Sequence, residues 1–121
     1  MPNHIQTATR IKAAGHKEKI IEEFIGRVNS QTAEVSIARM TSPVGWLEPA
    51  QVPEFNEYTL VLKGMVQVKT GEKTFQVRAG EVFIAYAGEK IQYSTPDKEG
   101  AEYIAVCVPA FAPETVNREN E

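Results

Sequence analysis

Three carboxylates, Glu48, Glu54 and Glu57, form the densest acidic cluster of the chain. If a pocket enclosed them, burial would raise the pKa of at least one, and a carboxyl held near neutrality can take up and return a proton. The same stretch carries Trp46, Gln51 and Tyr58. These are side chains of the kind that wall a small-molecule site and orient a polar ligand within it. Glutamates in loops are ordinarily solvated, however, and that description suits Glu48 and Glu54 as well. Trp46, Tyr58, Tyr86, Tyr93 and Tyr103 also suit a core or an interface.

Other chemistries find less support. Both histidines, His4 and His16, lie in the first 16 residues, away from the acids, so a Ser-His-Asp arrangement is not indicated and solvent exposure is the plain reading. Cys107, the only cysteine, sits in an apolar run and reads as a small buried side chain; an intrachain disulfide is excluded. Gly64, Gly71, Gly80 and Gly88 are spaced as turn residues, not as a phosphate-binding loop.

The elements that must position these residues read as short strands. Ala33 to Met40, Tyr58 to Leu62, Met65 to Lys69, Thr74 to Arg78, Val82 to Tyr86, Ile91 to Thr95 and Glu102 to Val108 are alternating or β-branched segments, separated by turn signals. Thr70-Gly71-Glu72 predicts a hairpin turn, with Phe75 and Val77 on one face of the strand that follows. Ile20 to Val28 fits either a helix or a strand bulged at Gly26; the strand agrees better with an otherwise all-β pattern. Residues after Pro113 are polar and predict an exposed extension.

With 121 residues the chain predicts one domain. A formal charge of −3 provides no basic field for nucleic acid. No apolar run is long enough for a membrane-spanning helix, and the first residues lack a signal-peptide layout. With the lone cysteine, these features predict a cytoplasmic protein.

Residues 45 to 64 resemble the first motif of the cupin family, G-x5-H-x-H-x3-E-x6-G. Gly45, Glu57 and Gly64 match, whereas Gln51 and Pro53 stand at the histidine positions. The second motif, G-x5-P-x-G-x2-H-x3-N, is matched by Gly80 and Gly88; Tyr86, Ile91 and Thr95 replace the proline, histidine and asparagine. The segments 48–58 and 106–116 look like a branch of small bacterial cupins, with a more distant similarity to the cupin of ethanolamine utilisation.

The resemblance implies an all-β double-stranded β-helix, or jelly-roll barrel. It would comprise an N-terminal arm (1–32), the barrel (33–113) and a polar tail (114–121). It also implies a pocket at one barrel mouth, into which Glu57 points, with Tyr93 beside the lost histidine slot, and pairing into a homodimer through an arm that adds to the partner's sheet. No standard cupin metal site is expected, because three of four ligand positions are lost; a weak divalent metal at Glu57, helped by Gln51 and a neighbouring carboxylate, is the variant left open.

Two functions follow from this reading. One is binding of a small polar metabolite, sugar-like or carboxylic, by Gln51, Glu48, Glu54, Trp46 and Tyr58. The other is an isomerase or lyase in which Glu57 and Tyr93 are catalytic.

Overall fold

The computed structural model describes residues 2–15 and 17–119. Nine strands follow in order: β1 (Thr9–Ile11), β2 (Ile20–Ile25), β3 (Ser36–Ser42), β4 (Trp46–Leu47), β5 (Asn56–Lys69), β6 (Thr74–Arg78), β7 (Val82–Ala85), β8 (Gln92–Thr95) and β9 (Ala101–Val108). A single helical turn, α1 (Pro113–Val116), comes last. All strand pairs are antiparallel, in the path β1-β2-β3-β9-β5-β8-β4, with β6 and β7 also paired to β5. The expected jelly-roll barrel is present, and no described helix is long and apolar enough to cross a membrane.

Strand β5 organises the barrel. Its first half pairs with β7 and β9, and its second half with β6 and β8. The change of sheet follows an irregularity between Val61 and Lys63 and falls at Gly64, which has a φ of 74°. A strand that passes between sheets in this way needs a local bulge and extra twist. Gly64 is therefore not a turn between two strands, as its spacing suggests. It lies within one long strand, where a Cβ would stand 2.1 Å from the Gly100 carbonyl oxygen, so only glycine permits the approach.

Other segments agree with the sequence reading. The β5–β6 hairpin closes around Thr70 and Gly71, with the Thr70 amide donating to the Lys73 carbonyl at 2.8 Å. Residues 20–25 form a strand, and its register shifts between Glu23 and Ile25. Alternation gives the barrel one packed end, where Trp46, Val61, Val66, Val68, Val77, Ile91 and Tyr93 form the main apolar cluster.

Both chain ends join the barrel. The N-terminal residues supply β1 and β2, which extend the sheet beside β3. The C-terminal residues are not an exposed extension: Val116 is buried against Phe55, Cys107 and Phe111. Backbone bonds join Thr115, Asn117 and Glu119 to Glu54, Val52 and Ala50, which makes a strap across the barrel mouth. One apolar side chain per turn in an otherwise polar segment is enough to dock it.

Candidate functional site

Beneath the strap and the N-terminal segment lies a cavity of about 70 Å³. At roughly 10–15 Å³ per water-sized occupant, it holds a ligand of about five to seven heavy atoms. Its floor comes from the barrel, through Glu57 of β5, Tyr93 of β8, and Ala105 and Cys107 of β9. Glu48 and Gln51 enter from the loop after β4; Lys19 comes from the segment before β2, and Arg118 from the strap.

Glu57 faces this cavity because the alternation of β5 turns Glu57, Thr59 and Val61 inward and Leu60 and Leu62 outward. Its carboxyl is pushed up to about 7, mainly by desolvation and then by the neighbouring Glu48; Lys19, Tyr93 and Arg118 oppose the shift. The Tyr93 hydroxyl donates to Glu57 Oε1 at 3.3 Å. Burial and the two carboxylates raise the Tyr93 pKa well above its ordinary value, so the phenol remains a proton donor. Glu48 is raised by burial as well, against the pull of Lys19 and Arg118.

The cations are held apart from the acids. Lys19 Nζ stands 3.8 Å from the centre of the Trp46 ring and 5.2 Å from that of Tyr103. Arg118 lies over Phe111, 5.9 Å from the ring centre. Neither forms an ion pair with Glu48 or Glu57 among the described residues. Gln51 is 3% exposed and is fixed by paired backbone bonds with Ile91, yet its Oε1 has no hydrogen-bond partner.

The structure thus brings together four of the seven expected site residues, Glu48, Gln51, Glu57 and Tyr93, and separates three. Glu54 is solvent-exposed on the outer side of the mouth, where it accepts a hydrogen bond from Asn117 Nδ2 at 3.0 Å. Tyr58 alternates with Glu57 and so points to the opposite face, opposite Ile84 and Val106. Trp46 belongs to the core; its indole N–H donates to the Ala14 carbonyl at 3.0 Å, and its ring supports Lys19 without lining the cavity. Glu48 is 6% exposed, so its reading as a solvated loop charge is corrected.

Lys19 and Arg118 were not anticipated: they lie far from the acids in sequence, and only the docking of both chain ends places them there. Cys107 is buried, and burial and Glu57 push its thiol pKa up, which makes it a poor nucleophile. His4 is exposed, and His16 lies outside the described residues.

No group of three or more His, Cys, Asp or Glu among the described residues is arranged to hold a metal ion. Glu48, Glu57 and the Gln51 amide would offer three oxygens, but Lys19 and Arg118 bring two positive charges to the same cavity. Pro53 and Ile91, at cupin histidine positions, have no ligating side-chain atom. This donor set does not fit a cupin metal, nor the weak site considered at Glu57.

No protein-family model matches the chain. It is 40% identical over 101 residues to a protein named endoribonuclease YbeY from Myxococcus xanthus (strain DK1622), over 84% of this chain and 34% of that protein. The chain therefore spans about a third of the length of that curated relative.

Among solved structures, the polyketide cyclase RemF from Streptomyces resistomycificus matches with a TM-score of 0.76 at 17% identity, over 100% of this chain and 87% of that one. A predicted oxalate decarboxylase from Thermotoga maritima matches at 0.71 and 21%, over 85% and 92%. A putative ethanolamine utilization protein Q from Salmonella typhimurium LT2 matches at 0.70 and 19%, over 86% and 80%. At these identities the likeness concerns the fold, which is that of the cupins, a double-stranded β-helix.

Proposed function

We propose that this cupin domain binds a small polar metabolite in the closed barrel mouth and transfers protons on it, as an isomerase or lyase, with Glu57 as general acid–base. The observation that carries this reading is the Glu57–Tyr93 contact at the cavity, with the carboxyl pushed up to about 7. A group titrating near working pH is present in useful amounts both as base and as acid. Glu57 would remove a proton beside a carbonyl or hydroxyl of the ligand. It would then return that proton to a neighbouring atom, or to a departing hydroxyl that leaves as water. Tyr93 orients the carboxylate, and Lys19 and Arg118 stabilise the negative charge that develops on the ligand.

The test is hydrogen exchange into small oxo and hydroxy compounds in D2O, followed by NMR. The wild type and Glu54→Gln should wash in deuterium, whereas Glu57→Gln should be slower by about 100-fold or more, the usual worth of a general base. Equal exchange by Glu57→Gln would remove Glu57 from the chemistry. A second reading, binding without turnover, draws on the match to about a third of a longer protein named for a ribonuclease activity, which suits a ligand-binding module beside a separate part. The chain's net negative charge speaks against this domain contacting RNA itself. A reducing cytoplasm suits its single thiol.

Pairing of two copies is part of the same proposal, but through a different surface from the arm. Leu60, Leu62, Val82 and Ile84 are exposed, and the register sets Leu60 against Val82 and Tyr58 against Ile84. Charges of both signs flank the patch, Lys63 in β5 and Glu81 just before β7, while Arg39 and Glu102 pair with each other on the neighbouring β3 and β9, so a two-fold axis can match unlike rims. Light scattering at micromolar concentration should give twice the chain mass, and Leu60→Glu should give the single mass; a wild-type monomer rejects pairing.

A further inference from the structure

The atoms left without partners describe the ligand. Three buried side-chain atoms among the described residues have no hydrogen-bond partner: Gln51 Oε1, Thr59 Oγ1 and Arg118 Nε. Two of these, Gln51 Oε1 and Arg118 Nε, belong to residues lining the one cavity. Buried polar groups are paired in the large majority of cases, so two unpaired atoms on one cavity require an explanation. They are of opposite sense. Arg118 Nε–H is a donor that lacks an acceptor, and Gln51 Oε1 is an acceptor that lacks a donor.

The charges point the same way. Lys12 and Lys19 line the cavity with Arg118, against Glu23, Glu48 and Glu57. The Glu23 carboxylate is already engaged by the Val28 and Asn29 amides, at 3.0 and 2.8 Å. Lys12 is exposed at the rim, so the cations that a ligand inside would meet are Lys19 and Arg118, and neither is ion-paired with Glu48 or Glu57 among the described residues. Apolar walls from Ile21, Met40, Phe55 and Phe111 leave little room for a second charged group.

We infer that the cavity is a receptor for a small monoanionic hydroxy acid, or the enol of the matching oxo acid. Its carboxylate would be held by Arg118 and Lys19, and its hydroxyl would donate to Gln51. The inference rests on the proposed use of this cavity as a ligand site and narrows the ligand to one chemical class. An enol offers Gln51 a donor that the keto form lacks, so Gln51 would favour the enolised state over the ground state.

Three probes of about the same size separate the possibilities: glycolate (carboxylate and hydroxyl), glycine (carboxylate and ammonium) and ethylene glycol (uncharged). The single tryptophan supplies the readout, because Lys19 sits on the Trp46 ring and its indole N–H bonds Ala14. Titrated against 15N-labelled protein, glycolate should shift the indole resonance saturably and bind at least tenfold more tightly than glycine or ethylene glycol. Arg118→Gln and Lys19→Met should each weaken glycolate at least tenfold, with the rest of the spectrum unchanged. Lys19→Met keeps the strap intact should Arg118→Gln loosen it.

Equal binding of the three probes, no saturable glycolate shift, or unchanged affinity in both variants would each overturn the inference. Glycolate binding without deuterium exchange in any compound would leave the inference standing and remove the acid–base reading. Exchange in a neutral ketone, with no glycolate binding, would do the reverse.

Discussion

The two halves of β5 run through one strand and do opposite things. Beyond the irregularity at Val61 to Lys63, Val66 and Val68 are fully buried and join Trp46, Val77 and Ile91 in a close-packed interior. Before it, the inward positions hold Glu57 and the buried Thr59, and Glu57 borders a cavity lined by charged side chains. Apolar burial stabilises a fold in proportion to the area removed from water, whereas each enclosed carboxylate costs free energy unless a partner compensates. One end of the barrel therefore supports the fold, and the other encloses polar groups, Gln51 Oε1 and Arg118 Nε among them, that have no hydrogen-bond partner.

The sharpest way to break this contrast is at Trp46. Its ring fills the packed end, and its N–H fastens the N-terminal segment that closes the other. Trp46→Ala should cost roughly 3–5 kcal/mol in chemical unfolding, as large-to-small aromatic changes in cores do. A loss below about 1 kcal/mol would mean that the packed end is not where the stability resides.

Removing a charge at the cavity end should have the opposite sign. Glu57 has a folded-state pKa of about 7 against an ordinary 4.5, so between these values the folded protein binds more protons than the unfolded chain. Stability must then fall as pH rises from about 4.5 to 7, and the loss is complete above the folded pKa. At about 1.4 kcal/mol per unit, the upper figure for this group is about 3 kcal/mol. Glu57→Gln should therefore be more stable than the wild type at pH 8, by up to that amount, and equal to it near pH 4. Glu48 is shifted in the same direction, so some slope should survive in the variant. Parallel stability profiles for the two proteins would show that Glu57 ionises freely.

The same contrast explains what could be read in the sequence. Strand alternation, the hairpin at Thr70-Gly71 and the inward position of Glu57 are local or periodic properties, and the chain displays them directly. Glu48 looks like any loop carboxylate, because its burial depends on Tyr93 and Gln92 of β8: the Glu48 amide donates to the Tyr93 carbonyl at 3.4 Å, and Gln92 Nε2 donates to the Glu48 carbonyl at 3.0 Å. Lys19 and Arg118 lie at opposite ends of the chain in polar surroundings, and no spacing rule links them to Glu57. Tyr58 and Glu54 were misplaced by one step of alternation and by one loop residue respectively, the scale on which a strand changes the face it presents.

The smallest effect tests whether the cavity end is a separate unit. Val116 anchors the strap through Phe55, Cys107 and Phe111, and Val116→Ala removes two methyl groups from that contact, worth about 1.5 kcal/mol by transfer. If the strap opens by itself, that free energy appears locally. The amides of Val52, Glu54 and Glu119, which bond to Asn117, Thr115 and Ala50 across the strap, should exchange roughly tenfold faster. The amides of Val61, Val66 and Val68 should keep their protection, because they report on the packed half of β5. Equal acceleration at both sets would mean that the strap leaves only when the whole barrel unfolds. Ligand entry would then need another route, and the division of β5 into a supporting half and a receiving half would be one of chemistry without a matching division in dynamics.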